Sequence, residues 1–363
     1  MMKVLHILNG LGVGGAEAFL KSLISALEND DVQMDFLLRT QNNNSETLSY
    51  FKDKGCKIFI MPPFPSKIFK NFKETAKFMS DNADVYDAVH IHANSLFYFF
   101  PINKAKKYMP KAKIIIHSHN TSTVSRLTQA VHFINKLRLK RYDCIRLACS
   151  EEAGSWMFKK SNFKVINNSV DISKFENSDK ERLRLRNKYK INEKTLISVG
   201  RLEAQKNYLF LIPIIKKLAE KHPDIKLLIC GDGILKSAIE KAICENGLEN
   251  NIELLGNRSD VAKLLKASDI YLMPSLYEGL GIAAIEAQAT GIPCILSDTV
   301  PLKTKICHNV SFLPLNCDLW VKKIENLFGG GYFNCKNSIL IESAGFGLQG
   351  LRKQMKEVYL KGE

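Results

Sequence analysis

The sequence has no apolar run of membrane-spanning length. Its most apolar stretches, such as Ser95–Ile102 and Ile114–Ile116, break within a turn or two, short of the ~18 residues that a bilayer span requires. The N-terminal stretch Met1-Met2-Lys3-Val4-Leu5-His6-Ile7-Leu8-Asn9-Gly10 carries one basic residue and no small-residue cleavage site, which argues against a secretory signal and predicts a cytoplasmic chain. Paired cysteines are lacking as well. The nine cysteines (Cys56, Cys144, Cys149, Cys230, Cys244, Cys294, Cys307, Cys317, Cys335) are odd in number and form no C-x-x-C, so reduced thiols are expected rather than zinc ligands or a disulfide framework. Acids are scarce: 37 Asp and Glu face 52 Lys and Arg, leaving a formal charge of +15. What remains is 45% hydrophobic and 25% charged over 363 residues, the balance of a soluble globular protein of about two domains.

The positive charge is concentrated. Residues 101–170 hold fourteen Lys or Arg (Lys104, Lys106, Lys107, Lys111, Lys113, Arg126, Lys136, Arg138, Lys140, Arg141, Arg146, Lys159, Lys160, Lys164) against Asp143, Glu151 and Glu152, a net +11. Within it, Val124–Tyr142 interleaves Leu127, Val131, Ile134, Leu137 and Leu139 with Arg126, Lys136, Arg138, Lys140 and Arg141. That pattern reads as a basic amphipathic helix of the kind that rests on anionic lipid, against a plain solvated lysine-rich surface as the alternative. No nucleic-acid-binding module accompanies the patch, and no nucleic-acid partner is expected.

Short apolar runs alternate with helical patterns. In the first half the expected strands are Val4–Leu8, Val32–Leu38, Lys57–Ile60, Val85–His92, Lys113–His117, Cys144–Cys149 and Phe163–Ile166, with a first helix over Ala16–Leu27. Asp171–Lys194 breaks the rhythm and reads as a connection ending in a short helix. Strands then resume at Thr195–Val199, Ile225–Cys230, Asn251–Leu255, Ile270–Pro274 and Pro293–Leu296. Continuous apolar strands separated by helices predict parallel sheets covered on both faces. The expected fold is α/β, two Rossmann-like doubly wound parallel-sheet domains facing a cleft: residues 1–172, completed by a C-terminal helix over 343–363, and residues 173–342.

Several loops suit phosphate and sugar. After the first strand, Gly10, Gly12 and Gly15 satisfy G-x-G-x-x-G in front of a helix, where free amides attract anions. A nicotinamide dehydrogenase would also need an acid at the end of the second strand; here Asp35 lies inside Val32–Leu38 and the strand ends in Arg39-Thr40. In the second half, Val199-Gly200-Arg201 with Lys206-Asn207 places two cations after a strand, where they can clamp a diphosphate. Gly231-Asp232-Gly233 ends the next strand. Pro274-Ser275-Leu276-Tyr277-Glu278-Gly279-Leu280-Gly281-Ile282 then leads into a helix carrying Glu286, eight positions after Glu278. The amides of Leu280, Gly281 and Ile282 can point at an anion, and Glu286, among alanines and an isoleucine, reads as a carboxylate buried beside a ligand.

Together these residues resemble the family 4 retaining glycosyltransferases of GT-B architecture over most of the chain. The matching pieces are Gly14-Gly15-Ala16-Glu17, Val165–Asp171, Val199-Gly200-Arg201 with Lys206-Asn207, Gly231-Asp232-Gly233, Ser275–Glu286 and Ala289-Thr290-Gly291-Ile292-Pro293. The chain departs from the family at Asn167-Asn168-Ser169, where Pro-Asn-Gly is usual.

The resemblance implies a hexosyltransferase that moves a sugar from a nucleotide diphosphate sugar, expected to be a UDP-sugar, to an acceptor hydroxyl with retention. It implies no metal and no further cofactor. Arg201 and Lys206 would neutralise the departing diphosphate, Glu286 would hold the ribose, and Glu278 would contact the transferred sugar. Gly279, Leu280, Gly281 and Ile282, with Gly231 and Gly233, would bind phosphate and sugar, and Gly14 and Gly15 would close over the phosphates from the other domain. The family histidine falls within His117-Ser118-His119-Asn120; His119 is favoured because it lies nearer the strand end. The acceptor would be a saccharide or a lipid-linked saccharide used in exopolysaccharide, capsule or glycolipid assembly. Peripheral contact with the inner membrane face would run through residues 101–170. The rival readings are a GT-B nucleotide-sugar epimerase and a non-catalytic sugar-nucleotide binder.

Overall fold

The computed structural model describes the chain apart from residues 13–14, 41–42, 121–124, 159–161, 192–193, 330–336 and 362–363. It divides into two compact units, Met1–Ser169 with Leu348–Glu363, and Val170–Gly347.

The first unit carries β1 (Met2–Leu8), β2 (Val32–Leu38), β3 (Ile58–Ile60), β4 (Ala88–Ala93), β5 (Lys113–Ser118), β6 (Ile145–Ala148) and β7 (Lys164–Val165). All pair in parallel in the order β3-β2-β1-β4-β5-β6-β7. The order reverses direction between β1 and β4, the point where open α/β sheets leave a crevice at their carboxyl ends. Both faces are apolar. One packs Phe19, Leu20 and Leu23 of the helix Gly15–Leu27 with Leu351, Met355, Val358 and Tyr359 from the chain's last segment. The other packs Met79, Ile102, Met109 and Met157.

The last segment is shorter as a helix than its pattern suggests. The helix begins at Leu348 rather than Ser343, because Gly345 takes φ +80° and ends the preceding helix Ser338–Ser343; a π-type turn follows at Glu357–Lys361. Asp30 fixes it, receiving Arg352 Nε at 2.7 Å and Lys356 Nζ at 2.8 Å.

The second unit repeats the scheme with β8 (Thr195–Val199), β9 (Lys226–Cys230), β10 (Ile252–Gly256), β11 (Ile270–Met273), β12 (Cys294–Ser297) and β13 (Val310–Leu313), all parallel in the order β10-β9-β8-β11-β12-β13. Its switch point lies between β8 and β11. The edge strand β13 has no counterpart in the apolar pattern, since Ser311 interrupts a run of four residues that is mostly half-buried. The segment read as a connection folds as two helices, Ile172–Phe175 and Asp179–Tyr189. The second is capped by Ser178, whose Oγ accepts from Glu181 N.

In the basic helix Arg126–Leu139, Leu127, Ile134 and Leu137 of the apolar stripe are exposed with Phe133 beside them, while Leu139 turns inward with His132, Asn135 and Lys136. The reason is a set of polar contacts on the inner side. His132 stacks on Trp156 at 4.3 Å, Asn135 Nδ2 donates to Leu96 O, and Lys136 Nζ donates to Ser155 O. Val124, Lys159 and Lys160 lie outside the described residues.

No disulfide forms among the described cysteines, and Cys335 lies outside them. No described helix is long and apolar enough to cross a membrane.

Candidate functional site

Three loops gather at the carboxyl edge of the second sheet around its switch point. The loop after β8 runs from Gly200 to Asn207, and the β9 end supplies Gly231 and Gly233. The loop after β11 runs from Pro274 to Gly281.

The β8 and β9 loops press together. A Cβ on Gly231 (φ +143°) would stand 1.9 Å from Gly200 O, so only glycine fits there. Tyr208, buried, donates its hydroxyl hydrogen to Gly200 O at 3.0 Å, and Gly233 N donates to Asp232 Oδ1 at 2.8 Å.

The β8 and β11 loops are tied by backbone and side chain. Leu276 N donates to Gln205 O at 2.8 Å and Gln205 Nε2 donates to Tyr277 O at 2.9 Å. Between them Lys206 Nζ meets Glu278 Oε1 at 2.6 Å, and Ser275 Oγ donates to the same oxygen at 2.7 Å. The lysine side chain is 18% exposed and the glutamate 7%. A close ion pair with so little water is strongly held, and a single-partner loss would leave a buried charge.

Gly281 takes φ +73°, ψ +56° and is the N-cap of the helix Ile282–Ala289. That left-handed turn lets the chain reverse directly into the helix and leaves first-turn amides at the loop. Leu280 is anchored through its carbonyl, which accepts from Thr304 Oγ1 at 2.5 Å, and Gly279 is exposed with open space where a Cβ would stand. Glu286 lies just over one turn into the helix, half-buried, and burial pushes its carboxyl up to about 7, with Lys174 opposing.

A raised folded-state value has a definite sign. Unfolded Glu286 titrates near the ordinary 4.5, so this group stabilises the fold fully below pH 4.5, and the contribution is lost as pH rises toward 7. The loss is roughly 3 kcal/mol. Urea unfolding at pH 5 and pH 8 should therefore show a smaller decline in Glu286→Gln than in the wild type; equal declines would refute it.

Not every expected residue joins this cluster. Arg201 is exposed and paired with Glu203 Oε1 at 2.8 Å rather than with Glu278. Gly15 opens the helix Gly15–Leu27 in the other unit, and Gly14 lies outside the described residues. Nearby, Gly12 N donates to Glu17 Oε1 at 3.0 Å.

His119 also belongs to the first unit, one residue beyond β5, whereas His117 is inside the strand and fully buried. His119 Nε2 lies 2.8 Å from His92 Nδ1, and burial lowers its value to about 4, so its imidazole is neutral. Gln205 and Tyr208 were not legible as site residues, since only their contacts distinguish them. Ser275 stood in the motif without a role.

Residues 179–328, most of the second unit, match the model of the family described as Glycosyl transferases group 1. The chain is 29% identical over 324 residues to the putative glycosyltransferase EpsF of Bacillus subtilis, covering 83% of this chain and 80% of that one. It is 27% identical over 321 residues to an Escherichia coli UDP-Gal:alpha-D-GlcNAc-diphosphoundecaprenol alpha-1,3-galactosyltransferase, covering 82% of this chain and 79% of that one. Among solved structures, Anabaena Alr3699/HepE in complex with UDP and glucose superposes with a TM-score of 0.78 at 18% identity over the full length of both chains. The chain has the GT-B fold, two parallel-sheet α/β units.

Proposed function

We propose that this glycosyltransferase transfers a hexosyl group from a UDP-sugar to an acceptor hydroxyl with retention of the anomeric configuration, in polysaccharide, capsule or glycolipid assembly. The observation that carries the reading is the Lys206–Glu278–Ser275 group at the β8/β11 switch point, beside the Gly281 helix start. A diphosphate entering there meets a cation and backbone amides together, the combination that stabilises a leaving phosphate. UDP as the nucleotide is supported by the UDP named for the similar Anabaena complex and the E. coli relative.

The residues take the following roles. Lys206 and Arg201 neutralise the diphosphate as the bond from the anomeric carbon to its oxygen breaks and the electron pair leaves with phosphate. Positive charge from these side chains serves where a metal serves in other transferases, so neither metal nor cofactor is assigned to the donor site. Glu278, released from Lys206 by the incoming phosphate, accepts hydrogen bonds from the sugar hydroxyls. Glu286 holds the ribose. The amides of Leu280, Gly281 and Ile282 contact phosphate and sugar beside Gly231, Gly233 and Gly279. The acceptor oxygen bonds to the anomeric carbon on the face the phosphate leaves, and its proton passes to the departing phosphate oxygen. Catalysis then comes from charge stabilisation and positioning.

The test is a thermal-shift screen of nucleotides and nucleotide sugars followed by release of nucleotide diphosphate with acceptor. A donor at 100 times its Kd raises stability by about 2.7 kcal/mol. Failure of every nucleotide diphosphate sugar to stabilise the protein overturns the reading. Donor conversion without acceptor would indicate an epimerase, and binding without turnover a pure binder.

The acceptor is proposed to be a saccharide or lipid-linked saccharide, presented at an anionic membrane face. Supporting this, Leu127, Phe133, Ile134 and Leu137 are exposed on a helix that also exposes Arg126 and Arg138 and is followed by exposed Lys140 and Arg141. The double variant Ile134→Asp, Leu137→Asp should lose most binding to anionic vesicles in flotation, with soluble-donor affinity kept. Equal flotation of both proteins, or equal binding to neutral vesicles, argues against it.

A further inference from the structure

Five of the chain's eight histidines lie together in the first unit. The parallel register is what gathers them. His6 on β1 pairs with His90 on β4, and His92 on β4 pairs with His117 on β5, while His119 follows one residue past the strand. His90 and His92, two apart, share a face of β4. The rings pack against one another, with centroids 4.2 Å apart for His90–His92, which are stacked, and for His117–His119, which are tilted.

The hydrogen bonding of this cluster is incomplete. His6 Nδ1 and His92 Nε2 are 2.9 Å apart, His92 Nδ1 and His119 Nε2 2.8 Å, and His90 Nδ1 and Tyr359 Oη 2.9 Å. Yet His6 Nε2, His90 Nε2, both nitrogens of His117 and His119 Nδ1 are buried without a partner among the described residues. His117 decides the point: whichever tautomer it adopts, one nitrogen bears a hydrogen that none of the described residues accepts, so its desolvation is not repaid. A core built for packing alone would place an apolar side chain there.

We propose that His92, His117 and His119 form a binding site for a late first-row divalent cation such as Zn2+. One nitrogen from each of the three lies within 4.8 Å of the others. The ion would replace the proton shared by His92 Nδ1 and His119 Nε2. Ligands at ~2.0–2.1 Å in tetrahedral geometry need nitrogens roughly 3.3 Å apart, a small widening of the present contact. His6 would orient His92 through its other ring nitrogen, the support that metal-binding histidines generally have. His119 is the partly accessible member, which gives an ion its way in and leaves a fourth position for water. All-imidazole ligation suits Zn2+, Cu2+ and Ni2+ over Mg2+ or Ca2+. The inference does not depend on the sugar-transfer reading, because it is read as bound metal.

The experiment uses the full chain stripped with chelator, titrated calorimetrically with Zn2+, and examined with Co2+ by visible absorption. One equivalent of Zn2+ and the intense Co2+ bands of a tetrahedral site are expected. His117→Gln, checked for folding by circular dichroism, should lose both, and His6→Phe should weaken Zn2+ binding about 10–100-fold. His222→Gln/His308→Gln, away from the cluster, should keep them. Absence of binding by the folded wild type overturns the proposal without any variant, and so does binding that disappears with His222 and His308.

Discussion

Lys206→Ala should lower kcat by about 10²–10³-fold at saturating donor, the loss of ~2.7–4 kcal/mol that follows removal of one donor aimed at developing charge. That loss follows from the proposed transfer and from the low exposure of the pair. Lys206 and Glu278 meet at 2.6 Å with the glutamate only 7% exposed, so the cation acts where water screens it little. In the resting protein its charge is held by Glu278, while Ser275 donates to the same carboxylate oxygen. Donor phosphate would exchange one anion for another around Lys206, and the charge that grows during bond breaking would be met by a cation already in place. Lys206→Arg should recover part of the rate, because charge is retained and shape is not. Single-turnover measurement separates this from weaker donor binding. A Lys206→Ala enzyme with wild-type turnover would remove Lys206 from the mechanism.

Asp269→Ala should lower the unfolding free energy by about 3 kcal/mol, the low end of the cost of removing one partner from a buried ion pair. Asp269 receives Arg182 Nη2 at 2.5 Å and Arg186 Nη1 at 3.3 Å, and it also accepts from Thr195 N at 2.7 Å. The two guanidinium groups come from the helix Asp179–Tyr189 and are 10% and 17% exposed. Without Asp269 they remain desolvated, though Arg182 still donates to Lys266 O and Arg186 to Ala267 O. Asp269→Asn, which keeps an acceptor but removes the charge, should cost less. Urea midpoints measure both; a loss below 1 kcal/mol in the alanine variant would show that the helix is held by other contacts.

The strands were legible because they are buried on both faces. Val32–Leu38 and Thr195–Val199 are mostly apolar runs of strand length, and the structure places β2 and β8 over the same residues. The edge strand β13 and the helix start at Leu348 were hidden for opposite reasons. The first is too short and too polar to stand out, and the second depends on where a glycine turns the chain. The loops after β8, β9 and β11 were visible as glycines, cations and carboxylates after strands. Their fastening through Gln205 and Tyr208 was not, since a hydrogen bond to a backbone carbonyl leaves no pattern in sequence. The outward Leu127, Ile134 and Leu137 show the limit of periodicity: it finds a stripe and cannot say whether protein or another surface covers it. The histidine cluster was less visible still. His6 and His92 lie 86 positions apart, and only the β1/β4 pairing brings them into contact.

The discontinuity of the first unit bears on how the polypeptide matures. Tyr359 Oη meets His90, Lys113 Nζ donates to Tyr359 O, and Leu351 and Met355 fill the core beneath Phe19 and Leu23. Those groups come from residues that follow the whole second unit in the chain. The continuous stretch 170–347 can close its own hydrophobic interior while residues 1–169 still wait for the segment from Leu348 onward, so the second unit is the one a nascent chain can complete first.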